Sequence, residues 1–161
     1  MAVEAEEVRR AFERALALVD RLAAEAPFSS PDAVIALASA LLEAMTERDL
    51  IAVLDAHPRI GADRGTLSAD SLREQGADDD EAVLGRLAEL NDAYEHRFGF
   101  RFVVFVGGRS KAEIVPVLER RLRRTREQEL ATGRDEFLAI ARDRSSRSSQ
   151  GASPPATPTR Q

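Results

Sequence analysis

The chain holds two histidines, His57 and His96, and an imidazole titrates near neutrality, so it can give and take a proton at working pH. His57 stands where a helical pattern ends, in the stretch Asp55-Ala56-His57-Pro58-Arg59-Ile60-Gly61. A proline pushes the residue before it toward extended geometry, which aims the ring away from the helix axis. Position alone describes a helix-end histidine meeting the helix dipole just as well, and that plainer role is the commoner one. Ser71, Glu74 and Gln75 stand at i, i+3 and i+4 and share a face of any helix that carries them. A hydroxyl, a carboxylate and an amide together can grip a polar ring rich in N–H and C=O groups. Such a face is more often simply solvated. Arg144 follows Phe137 and Ile140 at helical spacing. On that apolar face an arginine suits an anionic partner, or it snorkels from a fraying helix end.

Other chemistry is thinner. Arg120, Arg121, Arg123, Arg124 and Arg126 crowd a short run that could meet phosphates. Glu119, Glu127 and Glu129 interleave with them at pairing distance, so a solvated helix face is expected. No cysteine is present, which removes disulfides, thiolate metal sites and cysteine nucleophiles. His96 lies beside Glu95 without any repeating ligand spacing, so no metal site is expected. The net charge of -5 argues against a general nucleic-acid binder. The acidic start, Glu4 to Glu7, is unlike a signal peptide, and no apolar run is long enough to cross a bilayer. A soluble, cytoplasmic protein is expected.

The elements that must position these residues are helical. The chain of 161 residues is 43% hydrophobic but only 5% aromatic, and Glu, Arg, Ala and Leu dominate its first 145 positions. A first helix is expected from Ala5 to Glu25, with Phe12, Leu16, Val19 and Leu22 along one stripe. Ser30 caps the next, with Pro31 at its first position and Val34, Ile35, Ala38, Leu41, Leu42 and Met45 inward. Thr46 caps a short helix over Leu50 to Ala56. Gly61 and Gly65 break the chain, Ser68 caps a short helix ending at Gln75, and Gly76 closes it. Asp78, Asp79 and Asp80 suit the positive end of a helix carrying Val83, Leu87, Leu90 and Tyr94. Phe98 to Val106 is strand-like but has no partner strand, so it is expected as an extended, buried connector. Ser110 with Glu113, then Thr125 with Gln128, form capping boxes for two more helices. Pro116 should kink the first of these or mark its true start, and Gly133 lies inside the second, where it weakens continuity, with the helix ending near Arg144. Ser145 to Gln161 is rich in Ser, Pro and Thr and reads as a disordered tail. The expected fold is all-α: a compact bundle of about six to eight helices over residues 1–144, with one extended connector and a tail over 145–161.

Separately these signals are weak, but their order is specific. HPRIG at His57 to Gly61, RGTLSADSLREQ at Arg64 to Gln75, LAELNDAYEHRFGFRFVV at Leu87 to Val104 and EFLAIARDR at Glu136 to Arg144 resemble the OHCU decarboxylase family. OHCU is 2-oxo-4-hydroxy-4-carboxy-5-ureidoimidazoline, and the resemblance implies its cofactor-independent decarboxylation to S-allantoin, the third step of urate degradation. It implies His57 as the catalytic proton donor with Pro58 beside it at the substrate. It further implies a substrate-contacting segment Ser71, Leu72, Arg73, Glu74 and Gln75, with Glu74 as the catalytic carboxylate. Phe102, Val103, Val104, Phe105 and Val106 match the segment that lines the pocket, and Arg144 matches the arginine near the end of the last helix. Arg101 stands where many members have proline, and Arg59-Ile60 replaces a common Asp-Leu. The family also implies a homodimer and a functional association with urate oxidase and hydroxyisourate hydrolase. Two other classes compete: an interaction module using the arginine-rich helix and tail, and a catalytically degenerate scaffold protein.

Overall fold

Short-range capping chemistry sets where this chain turns. The Ser30 hydroxyl accepts the Ala33 N–H at 3.2 Å with Pro31 at the first helical position, and Thr46 Oγ1 accepts the Asp49 N–H at 3.2 Å. Asp80 Oδ1 accepts from both Ala82 and Val83. Ser110 with Glu113, and Thr125 with Gln128, exchange side-chain and backbone hydrogen bonds reciprocally. Each cap satisfies donors that a helix start leaves orphaned.

The computed structural model describes residues 2–12, 14–62, 68–71 and 80–150. Among them are seven helices: α1 (Ala5–Phe12), α2 (Leu16–Ala24), α3 (Pro31–Ala44), α4 (Glu47–Asp55), α5 (Glu81–Phe98), α6 (Lys111–Arg121) and α7 (Arg126–Gln150). A further helical turn covers 69–71 behind Ser68. Strand pairing among the described residues is limited to a bridge between Val3 and Phe28. The all-α expectation holds, and no described helix is long and apolar enough to cross a membrane.

α7 is the central element, lying against α1, α3 and α4, while α5 packs on α6 and α2 on α3 and α4. Leu18, Leu22, Val34, Leu42, Leu54, Leu87, Tyr94, Ile114, Leu118 and Phe137 belong to one buried cluster. Gly133 does not interrupt α7. A Cβ there would sit 3.1 Å from Leu54 Cδ1, so the missing side chain lets α7 approach α4 closely.

Three expectations need correction. The first helix is two, because the chain turns at Arg14-Ala15 with Leu16 N–H bonded to the Arg14 carbonyl at 2.8 Å. The turn re-aims the second half so that Ala15, Leu18, Val19 and Leu22 are buried, while Leu16 is 68% exposed. Pro116 does not mark the start of α6, which begins five residues earlier at Lys111. The last helix continues past Arg144 to Gln150, into the segment expected as tail. Its serines are accommodated by turning back onto the helix, Ser146 Oγ to the Arg142 carbonyl and Ser148 Oγ to the Arg144 carbonyl. Arg10 Nη2 also donates to Ser148 Oγ at 2.7 Å, fastening this turn to α1. Residues 151–161 lie outside the described residues.

Candidate active site

His57 is the second residue beyond α4, where Ala56 caps the helix. Its N–H donates to the Leu54 carbonyl at 3.1 Å, and its own carbonyl accepts from Arg101 Nη1 at 2.9 Å. The ring is half-buried and meets Phe137 of α7 edge-on, with centroids 6.3 Å apart and planes at 81°. Two residues past Pro58, the Ile60 carbonyl accepts from the buried Asn91 Nδ2 at 3.1 Å. Arg59 points the other way, onto Asp92 and Glu95 of α5. The loop is therefore held at both carbonyl ends, and its histidine projects toward α7.

Ser71 belongs to the next wall. Ser68 Oγ accepts the Ser71 N–H at 3.1 Å, which starts the helical turn. Ser71 is buried, and Arg144 Nη2 donates to its hydroxyl at 3.4 Å. Arg144 Nη1 also points at the Ala11 carbonyl, at 3.5 Å. Arg144 thus stands behind Ser71 as a buried cation.

The third wall is the connector. Gly99, at φ 81°, stops α5 in the left-handed region that glycine enters without strain. From Arg101 to Val106 the backbone forms neither helix nor strand, so its polar groups are satisfied by side chains. Asp55 Oδ1 accepts the Arg101 N–H, Glu136 accepts the Phe105 N–H, and Arg121 Nη1 donates to the Val103 carbonyl. Arg109 donates to the carbonyls of Phe105 and Val106. Phe100 and Phe102 pack on Tyr94 at 5.9 and 5.3 Å between centroids.

Arg121 corrects the expected solvated arginine face. It is buried, its Nε donates to the wholly buried Glu129 at 2.7 Å, and its guanidinium lies 4.5 Å over the Phe102 ring. Tyr94 donates to the same carboxylate at 2.6 Å, and burial pushes its phenol far above the ordinary range, so it remains a donor. Arg124 pairs with Glu129 as well, and Arg126 pairs with Glu47, leaving Arg120 and Arg123 exposed. The interaction-module alternative loses most of its basic patch.

These walls enclose a cavity of about 300 Å³, within the range of small-ligand sites. His57, Pro58, Ser71, Phe102, Val104, Phe105 and Val106 line it, all expected from the sequence. Val103 and Arg144 do not. Val103 turns its carbonyl to Arg121, and Arg144 reaches the wall through Ser71. Leu72, Arg73, Glu74 and Gln75 lie outside the described residues. Sequence reasoning missed Asp143 and Arg147, which also line the cavity and pair at 3.1 Å. They follow Ile140 at i+3 and i+7, one helical face. Arg147 was hidden because the helix was expected to stop at Arg144, while Asp143, inside the expected helix, reads as one more charged residue near its end. Among the described residues, no group of His, Asp or Glu has the arrangement of a metal site.

The chain was compared with known proteins. A family model described as OHCU decarboxylase matches residues 2–146. A bifunctional uric acid degradation protein, PucL, of Bacillus subtilis is 34% identical over 83% of this chain, but the match spans only 28% of that longer protein. A 2-oxo-4-hydroxy-4-carboxy-5-ureidoimidazoline decarboxylase of Halalkalicoccus jeotgali is 33% identical, over 73% of this chain and 68% of its own length. A crystal structure of an OHCU decarboxylase in the presence of (S)-allantoin superimposes with a TM-score of 0.71 at 22% identity, covering 88% of this chain and 96% of that one, which shows a shared fold. With the match running from residue 2 to within the last helix, the chain belongs to the OHCU decarboxylase family.

Proposed function

We propose that this protein decarboxylates 2-oxo-4-hydroxy-4-carboxy-5-ureidoimidazoline to S-allantoin in urate degradation, with His57 as its proton donor. The observation that carries the assignment of roles is the cavity on which His57, Pro58 and Ser71 converge with the Phe102–Val106 segment. The substrate needs no borrowed electron sink, because an imine adjoins the carbon that bears the carboxylate. As the C–C bond breaks and CO₂ leaves, the electron pair passes into that imine and gives a planar, enamine-like species. The imine nitrogen takes up a proton, and a further proton must reach the former imine carbon from one face while the neighbouring hydroxyl releases its own and becomes a carbonyl. A fixed imidazolium within reach supplies the carbon's proton and becomes neutral, to be reprotonated from solvent.

Glu74 either pairs with His57 and favours its charged form, or anchors ring and ureido N–H groups. Ser71, backed by the Arg144 guanidinium 3.4 Å away, donates to a carbonyl or carboxylate oxygen. Gln75 and Arg73 are further polar contacts to the substrate in this reading, with Leu72 an apolar one, and Val103 keeps its neighbours in register. Arg147 and Asp143 add a donor–acceptor pair suited to a ureido arm. A functional association with urate oxidase and hydroxyisourate hydrolase belongs to the same reading, and the match to part of a bifunctional uric acid degradation protein accords with a role beside other steps of that degradation. A cytoplasmic homodimer completes the proposal.

The test adds purified protein to freshly generated substrate and follows the product by circular dichroism. Accelerated appearance of one enantiomer supports the reading. His57→Ala should remove that acceleration, on the order of 10²-fold or more, while far-UV dichroism stays unchanged. Full stereospecific activity in the folded His57→Ala protein would overturn the role given to His57.

A further inference from the structure

We infer that Arg101 is a positioning residue for His57, and that Glu95 and Asp55 are its anchors. Arg101 lies on the connector, on the far side of the loop from the cavity, and does not line that cavity. Its Nη1 nonetheless donates to the His57 carbonyl at 2.9 Å, 44 positions away in sequence. The guanidinium is itself fixed. Its Nε lies 3.5 Å from Glu95 Oε1, and its backbone N–H donates to Asp55 Oδ1 at 2.9 Å. Glu95 Oε1 also accepts from Arg59 Nε at 3.2 Å, so one carboxylate ties together arginines on both sides of the loop.

The arrangement reaches the imidazole through the backbone. The His57 N–H is held by α4 and its carbonyl by Arg101, so both peptide groups flanking its Cα are fixed. With φ and ψ set, the ring direction is left to the side-chain torsions, and Phe137 selects among those. A cation beyond the end of α4 also suits the negative end of its dipole. A proline at 101 could supply neither the backbone donor to Asp55 nor the guanidinium. The clamp is a property of this sequence, therefore, and it rests on the reading of His57 as the proton donor only for its catalytic consequence.

The experiment compares wild type, Arg101→Met, Arg101→Lys and Glu95→Gln. Because the chain has two histidines, their ring signals are easily resolved by NMR. In Arg101→Met the His57 ring protons should lose their contact with Phe137 and broaden or shift, while exposed His96 does not move. Lysine keeps a donor within reach and should restore the wild-type signals, which a general loss of stability would not do. Glu95→Gln should fall between. In turnover, Arg101→Met should lower kcat about tenfold with KM nearly unchanged, and erode the enantiomeric excess of the product. An unshifted His57 signal in Arg101→Met overturns the clamp whether or not the chain decarboxylates anything. Absence of turnover in wild type, with the His57 shift present, overturns the reading of the reaction and leaves the clamp standing.

Discussion

The two irregular walls of the cavity are held by opposite means. The His57–Ile60 loop is fastened at the surface, where Arg59 and Arg101 keep 33% and 38% of their side chains exposed and share Glu95. The Phe100–Val106 connector is fastened from within, by Arg121 at 7% and Glu129 at 0%, under a cap of aromatic rings. A surface clamp is weak and screened by salt. A buried pair is costly to assemble, and removing one partner strands the other charge in a dry place. The loop that carries the acid is therefore held by the more easily screened contacts, and the apolar wall by those costliest to break.

The largest expected effect tests the fixed wall. Arg121→Met should destabilise the fold by roughly 3 kcal/mol or more, since Glu129 stays buried with one guanidinium fewer and the Val103 carbonyl loses its donor. Urea denaturation measures it, and a loss below about 1 kcal/mol would erase the contrast. Arg59→Ala should cost no more than about 1 kcal/mol, and that difference should shrink toward zero in 1 M salt, where the screening length is about 3 Å. A salt-independent loss there would place the loop clamp in the same class as the buried one. The smallest effect lies at neither wall and serves as a control. Glu113 accepts from the Ser110 backbone N–H at 2.6 Å, which holds its carboxyl below the ordinary glutamate range. Its contribution is fully present above that range and fades as pH falls through the lowered folded value. Thermal melts of wild type and Glu113→Gln should differ slightly at neutral pH and converge on acidification.

The same contrast explains what could be inferred beforehand. Caps at Ser30, Thr46, Ser110 and Thr125 were legible because each is a bargain struck within four residues. The turn at Arg14-Ala15 was not, since neither glycine nor proline marks it. Phe12 is instead packed on Phe137, 5.9 Å away between rings and distant in sequence. Arg121 looked solvated because acidic neighbours lie at pairing distance, while its burial depends on a connector arriving from elsewhere. His57 and Ser71 were found by the order of motifs, and no local periodicity would have singled them out. Arg147 shares its helical face with Ile140 and Asp143, yet serine-rich composition drew the boundary after Arg144.

α7 meets several distant parts of the molecule in succession. Glu129 anchors Arg121, Gly133 admits Leu54, Glu136 holds the Phe105 N–H and Phe137 meets the His57 ring. Further along, Ile140, Asp143 and Arg147 face the cavity, and Arg144 backs Ser71. An α-helix rises about 1.5 Å and turns about 100° per residue, so this single rod acts as a camshaft whose lobes are timed by residue count. One residue added or lost midway would swing all later lobes together, uncoupling cavity, serine and histidine in a single stroke. Point substitutions leave that timing intact, so the helix can vary in composition far more freely than in length.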